Sequence, residues 1–194
     1  MAISERSRIL QAAIKAKRAG NSIAALEHFK SLEEQGERWV RSEIGYIYEH
    51  GGEGLQRDYS EAFRWYQKAL IEDRDEWALV SLARMYVLGR GVSQDYKLAR
   101  GLYAEAAERG NSVAQFQYAG LLFDGLGGER NREGAIACYE KAARAKNFFA
   151  MMVLAAYERS RGRYIKCYAL RIEALVIFIA AYVFDRGSPR IRNM

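Results

Sequence analysis

ARMYVLGRGVSQDYKLARGLYAEAAERG, residues 83–110, holds two helical signals and the turn between them. With the residues just before it, Glu76 to Leu88 reads as a first helix, because Ala78, Leu79, Leu82, Ala83 and Tyr86 fall on one face at helical spacing. Gly89-Arg90-Gly91-Val92 interrupts that helix and Asp95-Tyr96 restarts the chain. Leu98 to Arg109 then forms a second helix with Ala99, Leu102, Tyr103 and Ala106 inward. Gly110-Asn111 closes the unit, glycine or asparagine being the usual left-handed cap.

Outward from this stretch the pattern returns at a spacing of about 36 residues, the mark of an array of two-helix units. Upstream, Gly45 matches Ala83, Tyr48 matches Tyr86, and Asp58-Tyr59 matches Asp95-Tyr96, with one extra residue in the glycine loop at Gly51-Gly52-Glu53-Gly54. Ala62, Trp65-Tyr66 and Ala69 take the places of Ala99, Leu102-Tyr103 and Ala106. Downstream, Val113 to Ala145 repeats the scheme through Ala119, Gly125, Gly127, Ala135, Tyr139 and Ala142. Small residues suit close helix crossings and tyrosines fill the gaps between units, so the pattern has a packing cause.

The pattern in Ala83–Gly110 resembles the Sel-one-like repeat, a relative of the tetratricopeptide repeat. The resemblance covers roughly residues 38–146 and is loosest in the third unit, where Leu122 stands for the tyrosine and Asn131-Arg132 for Asp-Tyr. It implies an all-α, right-handed superhelical solenoid of antiparallel helix pairs, first helices lining the inner surface and second helices the outer. The flanks depart from it. Residues 1–37 read as an N-terminal tetratricopeptide-like capping pair (Ile3 to Arg18 and Ser22 to Gln35), and 38–146 as three repeats. Residues 147–187 read as a degenerate fourth repeat, its loop shrunk to Ser160-Arg161-Gly162-Arg163, with a C-terminal helix from Tyr164 to Phe184. Residues 188–194 are expected to be a frayed tail.

One proline in 194 residues favours long helices. The net charge of +6 is uneven: residues 1–140 carry 19 Lys+Arg against 21 Asp+Glu, residues 141–194 carry 11 against 3. A basic end fits either a solvated, solubilising terminus or an acidic partner. Two cysteines make no disulfide framework, and Cys138 and Cys167, each before a tyrosine, read as equivalent buried positions on successive second helices. The charged N-terminus lacks the apolar core of a signal peptide, and the reading is a cytoplasmic, bacterial protein. The longest apolar run, Ala174 to Phe184, is 11 residues, against ~20 for a spanning helix.

No Gly-Lys-Ser/Thr follows any glycine loop, so the loops read as helix-pair turns and not phosphate cradles. His28 and His50 have no ligand-type spacing around them, and no Gly-x-Ser-x-Gly occurs. The expectation is no enzyme, no catalytic residue, no cofactor and no metal. Nucleic acid is not expected either, since the aromatics occupy core-repeat positions.

The tetratricopeptide register assigns the inner positions of successive first helices. These are Arg38, Arg41, Tyr46 and Glu49, then Trp77, Val80, Arg84 and Val87. Val113, Phe116, Gly120 and Phe123 follow, then Phe149, Met152, Ala156 and Arg159. A groove so lined fits a helix or an extended peptide. Contact candidates are Arg41, Tyr46, Glu49, Val80, Arg84, Val87, Phe116 and Phe123. The function implied is that of an adaptor or scaffold binding a segment of another protein. The alternative is an immunity or inhibitor protein that neutralises one cognate bacterial toxin or effector. The last helix carries a further apolar stripe (Ile172, Leu175, Ile179, Tyr182 and Val183), which caps the array, makes a homodimer or partner contact, or meets a membrane surface. The last is disfavoured because the run is apolar nearly all round.

Overall fold

The computed structural model describes residues 5–184, with side chains through 181. Met1 to Ser4, Asp185 to Met194 and the side chains of Tyr182, Val183 and Phe184 lie outside the described residues. The expectation for the frayed tail falls there.

Residues 1–95 form one compact unit and residues 96–194 a second. The first holds α1 (Glu5–Arg18), α2 (Ser22–Glu34), α3 (Val40–His50), α4 (Tyr59–Asp73) and α5 (Glu76–Leu88). The second holds α6 (Tyr96–Glu108), α7 (Ser112–Asp124), α8 (Arg132–Arg144), α9 (Phe148–Ser160) and α10 (Tyr164–Phe184). Among the described residues there is no β-strand, only an isolated bridge between Gly52 and Leu55. Within each unit every helix packs on the next in sequence. This is the nearest-neighbour packing of a repeat array.

Side-chain caps set the helix starts. Asp58, Asp75, Asn111, Asn131 and Asn147 each accept a hydrogen bond from a backbone N–H one turn into the following helix. Asn111 is therefore the N-cap of α7 and not a C-cap of α6. Gly110 alone supplies the left-handed turn, with φ +95°. The same corner one period away on either side is held by Arg74 at φ 52° and Lys146 at φ 63°, conformations that L side chains adopt only at a cost.

The glycine loops are contact points. A Cβ on Gly91 would lie 2.1 Å from the Tyr59 carbonyl oxygen, and one on Gly127 would lie 2.2 Å from that of Tyr96. Each loop thus rests on the start of the preceding second helix so closely that only hydrogen fits. Buried Ala62, Tyr66 and Ala69 in α4, and Ala135, Tyr139 and Ala142 in α8, repeat the small–large–small packing expected of them.

The last pair departs in register. The α7–α8 connection (125–131) has seven residues and the α9–α10 connection (161–163) only three. Counting from the helix starts, Cys167 therefore takes the place of Ala135 and Arg171 that of Tyr139. Cys138 and Cys167 are not equivalent, contrary to the expectation from their neighbouring tyrosines. Cys167 is buried; Cys138 is half-buried and corresponds to Leu170. Burial pushes the Cys138 thiol up, with Lys141 opposing.

Candidate functional site

On the first unit the candidate surface is built on α3 and α5. Matching buried positions (Val40 with Ala78, Ile44 with Leu82, Ile47 with Met85) set the two helices 38 residues apart. In that register Arg41 corresponds to Leu79, Gln115 and Met151, which are all buried. Ser42 is the counterpart of Val80. Arg41 was expected on the open face, one residue out of register; it is 6% exposed. Its Nε donates to Glu33 Oε1 at 2.9 Å, and its Nη1 to Glu72 Oε2 at 2.7 Å and Asp73 Oδ2 at 2.9 Å. Lys68 Nζ completes the network at 2.7 Å from Glu33. The Lys68 hydrogen bond holds the Glu33 carboxyl below its ordinary range, against the opposing effect of burial, with Arg41 adding to it. Pairing with Glu33 and Asp73 likewise outweighs burial at Arg41 and keeps it charged. Arg41 therefore fastens α2, α3 and α4 together.

Glu49 is also inside, at 4% exposure. Its Oε2 accepts from Tyr66 Oη at 3.0 Å and from Arg84 Nη2 at 2.7 Å. Burial, then the Glu49 charge, pushes the Tyr66 phenol far above its ordinary value, so it remains a donor. Arg84 spans the boundary: its side chain is 40% exposed, while its Nε is buried without a partner.

Tyr46, Val80 and Val87 reach the surface to different degrees. Val80 and Val87 are half-buried. Tyr46 is exposed, stacked on His50 at 4.0 Å between centroids, with Lys17 Nζ 4.6 Å above its ring. Trp77 is 72% exposed, more than any of the eight candidates.

On the second unit Phe116 is half-buried against Tyr139 and Phe149, at 5.6 and 5.9 Å. Phe149 in turn meets Phe148, and Phe148 meets Phe178, a run of rings from α7 through α9 to α10. Phe123 lies on the surface with Arg130 and Arg132 each 5.6 Å from its ring centroid, and Arg130 Nε donates to its carbonyl at 2.7 Å. Phe149 is 62% exposed, and Val113 and Met152 are exposed too.

Four exposed apolar residues hold one repeat position. Trp39, Trp77, Val113 and Phe149 each stand at the start of a first helix, at steps of 38, 36 and 36. Trp77, Val113 and Phe149 stand among the inner positions read from the sequence, whereas Arg38 was read in the place that Trp39 holds. Glu158 carried no such signal. It occupies the place of Tyr86 and Leu122, is buried, and pairs with Arg163 and with Lys166 at 3.2 Å. Only the shortened loop brings those cations over it.

Among the described residues no three His, Cys, Asp or Glu side chains stand close enough to share a metal ion, and no helix is long and apolar enough to cross a membrane. The surfaces offer cationic and aromatic contacts over rigid helices. That suits recognition of a peptide or helix.

The Sel1 repeat family model matches residues 42–70, 78–111 and 112–147. Protein sel-1 homolog 2 of Rattus norvegicus is 39% identical over 74 residues, 38% of this chain and 11% of that protein. The exopolysaccharide production negative regulator of Rhizobium leguminosarum bv. viciae is 29% identical over 189 residues, 91% of this chain and 67% of that one. Among solved structures, c5321, a protective antigen of uropathogenic Escherichia coli with an SLR fold, superposes with a TM-score of 0.72 at 31% identity. The match covers 87% of this chain and 38% of that one. The chain thus spans about a tenth of the mammalian relative and well under half of c5321.

Proposed function

This chain belongs to the Sel1 repeat family, whose members generally mediate protein–protein interactions, and we propose that it holds a segment of another protein on its first-helix face, without catalysis. The observation that carries the reading is that Trp39 and Trp77 on the first unit, and Val113 and Phe149 on the second, are apolar side chains kept in solvent at the same repeat position within each unit. Exposed apolar surface of this kind is what interaction sites are made of. Around it, Tyr46, Val80, Arg84 and Val87 in the first unit, and Phe116 and Phe123 in the second, supply the remaining contacts. Arg41 and Glu49 act from behind, Arg41 by fixing α3 and Glu49 by anchoring Arg84. The segment is helical or extended, apolar at intervals, and carries a carboxylate for Arg84.

The compartment we assign is the bacterial cytoplasm. The relation to an exopolysaccharide regulator over most of the chain supports a regulatory adaptor, whose loss from its native cell raises polysaccharide output. Affinity capture from that cell, followed by mass spectrometry, tests the main reading. Trp77→Ala and Phe149→Ala should each reduce recovery of the captured protein by ten-fold or more, an anchor side chain being worth ~2 kcal/mol or above. Equal recovery with both variants rejects the first-helix face. One target held tightly and inactivated, in place of several clients, would favour the toxin-neutralising reading.

A further inference from the structure

A buried tyrosine is the eighth residue of α4, α6 and α8: Tyr66, Tyr103 and Tyr139. The Tyr66 ring lies 2.9 Å from where a Cβ on Gly45 would stand, and the Tyr139 hydroxyl 3.7 Å from that of Gly120. Tyr139 also meets the Phe116 ring and shares a cluster with Ala119. In each of these pairs, then, the small residues of the first helix leave room that a ring fills. In α10 the eighth residue is Arg171, and it is exposed. The first helix of that pair has not changed to match. Met152, Ala155 and Ala156 stand 36 residues after Phe116, Ala119 and Gly120. With Cys167 they line a cleft of about 540 Å³ between α9 and α10.

The charges at this cleft are set apart in the same way. Arg159 and Arg171 both line it. By register Arg159 holds the place of Glu49 and Arg171 that of Tyr66, a pair that hydrogen-bonds in the first unit. Two guanidiniums thus stand where a phenol and a carboxylate stand there. Among the described residues neither guanidinium makes an ion pair or a hydrogen bond. Glu158, the nearest acid in sequence, is held by Arg163 and Lys166, and no carboxylate lines the cleft.

We infer that this cleft binds a small aromatic anion, a flat ring carrying a carboxylate or phosphate, free in solution. The ring takes the place that Tyr139 takes one pair earlier, over Ala155, Ala156 and Cys167. The anion lies between Arg159 and Arg171, whose planar donors suit two oxygens of one acid group. The hydroxyls of Ser160 and Tyr164, also in the lining, are left for polar substituents on the ring. An apolar floor with a few converging polar groups, at a volume within about 300–1,000 Å³, is the form of a small-molecule site. The walls belong to one helix pair, which suits a free molecule better than a segment laid across several pairs.

Titration of the full chain, followed by its NMR chemical shifts, tests this. At least one of phenyl phosphate and phenylacetate should bind with a dissociation constant of about 1 mM or tighter. It should bind at least ten-fold more tightly than inorganic phosphate, which has the charge alone, or benzyl alcohol, which has the ring alone. Arg171→Tyr restores the residue of the other pairs and should abolish binding, with the thermal midpoint kept or raised. Arg159→Gln, on an exposed position, should weaken binding at least ten-fold with an unchanged circular dichroism spectrum. The inference is overturned if neither probe binds, if inorganic phosphate binds as well as the probes, or if both variants bind like wild type. Loss of partner capture in Arg171→Tyr, with no probe bound by wild type, would also overturn it and give the cleft to the protein-binding face.

Discussion

Arg84 is the residue whose replacement separates surface recognition from internal support. In sequence it is an inner-face arginine, and Arg84→Glu would be expected to abolish capture and spare the fold. The structure gives Arg84 a second role. Arg84 Nη2 lies 2.7 Å from a Glu49 carboxylate whose side chain is only 3% exposed. A pair of unit charges about 4 Å apart attracts by ~4 kcal/mol at an effective dielectric of 20. Removing one member of a buried pair typically costs ~3–5 kcal/mol, because the other charge stays desolvated. Arg84 is itself 40% exposed, so water replaces part of its role and Tyr66 Oη still donates to Glu49. We expect Arg84→Met, which keeps the apolar stem, to cost ~2–3 kcal/mol, and Arg84→Glu to cost more by setting two carboxylates together. The double variant Glu49→Leu/Arg84→Met should recover most of the loss, leaving ~1 kcal/mol or less, since Val87 fills the Glu49 position one repeat on. Urea unfolding followed by circular dichroism measures all four proteins. A loss below ~0.5 kcal/mol for Arg84→Met, or a double variant no more stable than the single, would refute the reasoning.

Three further outcomes follow from other parts of the molecule. Gly127→Ala should destabilise by ~3 kcal/mol or more, because its Cβ would meet the Tyr96 carbonyl at 2.2 Å; Gly110→Ala, with positive φ but nothing within 4 Å, should cost only ~1–2 kcal/mol. Thermal unfolding of the pair compares them, and equal losses would show that the loops are not contact points. Glu33 has a folded pKa below its ordinary 4.5, so its stabilisation is present above that pH and is lost as pH falls through the lower folded value. The urea midpoint gap between wild type and Glu33→Gln should therefore narrow as pH falls below about 4.5; a constant gap contradicts it. Lys146→Gly should raise stability by ~0.5 kcal/mol. It relieves φ 63° by ~1 kcal/mol or more, and loses an exposed ion pair with Glu173 and some chain entropy. A drop in the unfolding midpoint would contradict this.

The fold was legible because packing imposes it position by position. Small residues at Ala62, Ala99 and Ala135, and rings at Tyr66, Tyr103 and Tyr139, recur because successive helices cross at the same places. The bounds of α5 (Glu76–Leu88) and α10 (Tyr164–Phe184) came from the same pattern. The site was less legible. Arg41 and Arg84 look alike in a chain of letters, and only register separates a buried fastener from a surface side chain. The extra residue in the first glycine loop made a one-residue slip there easy. Glu49 and Glu158 are buried because specific cations close over them, which no local signal reports. The Cys167 register depended on the four residues lost from the last loop, a change that turns α10 and sends Tyr168 outward.

The central claim, that the first-helix face holds the partner, is tested most directly by photo-crosslinking. A photoreactive phenylalanine analogue is placed in turn at Trp77, at Phe149 and at Ile71, the last on second helix α4 and 78% exposed. The account predicts a crosslinked protein from positions 77 and 149 and none from position 71. Crosslinks from position 71 alone, or from all three equally, would contradict it.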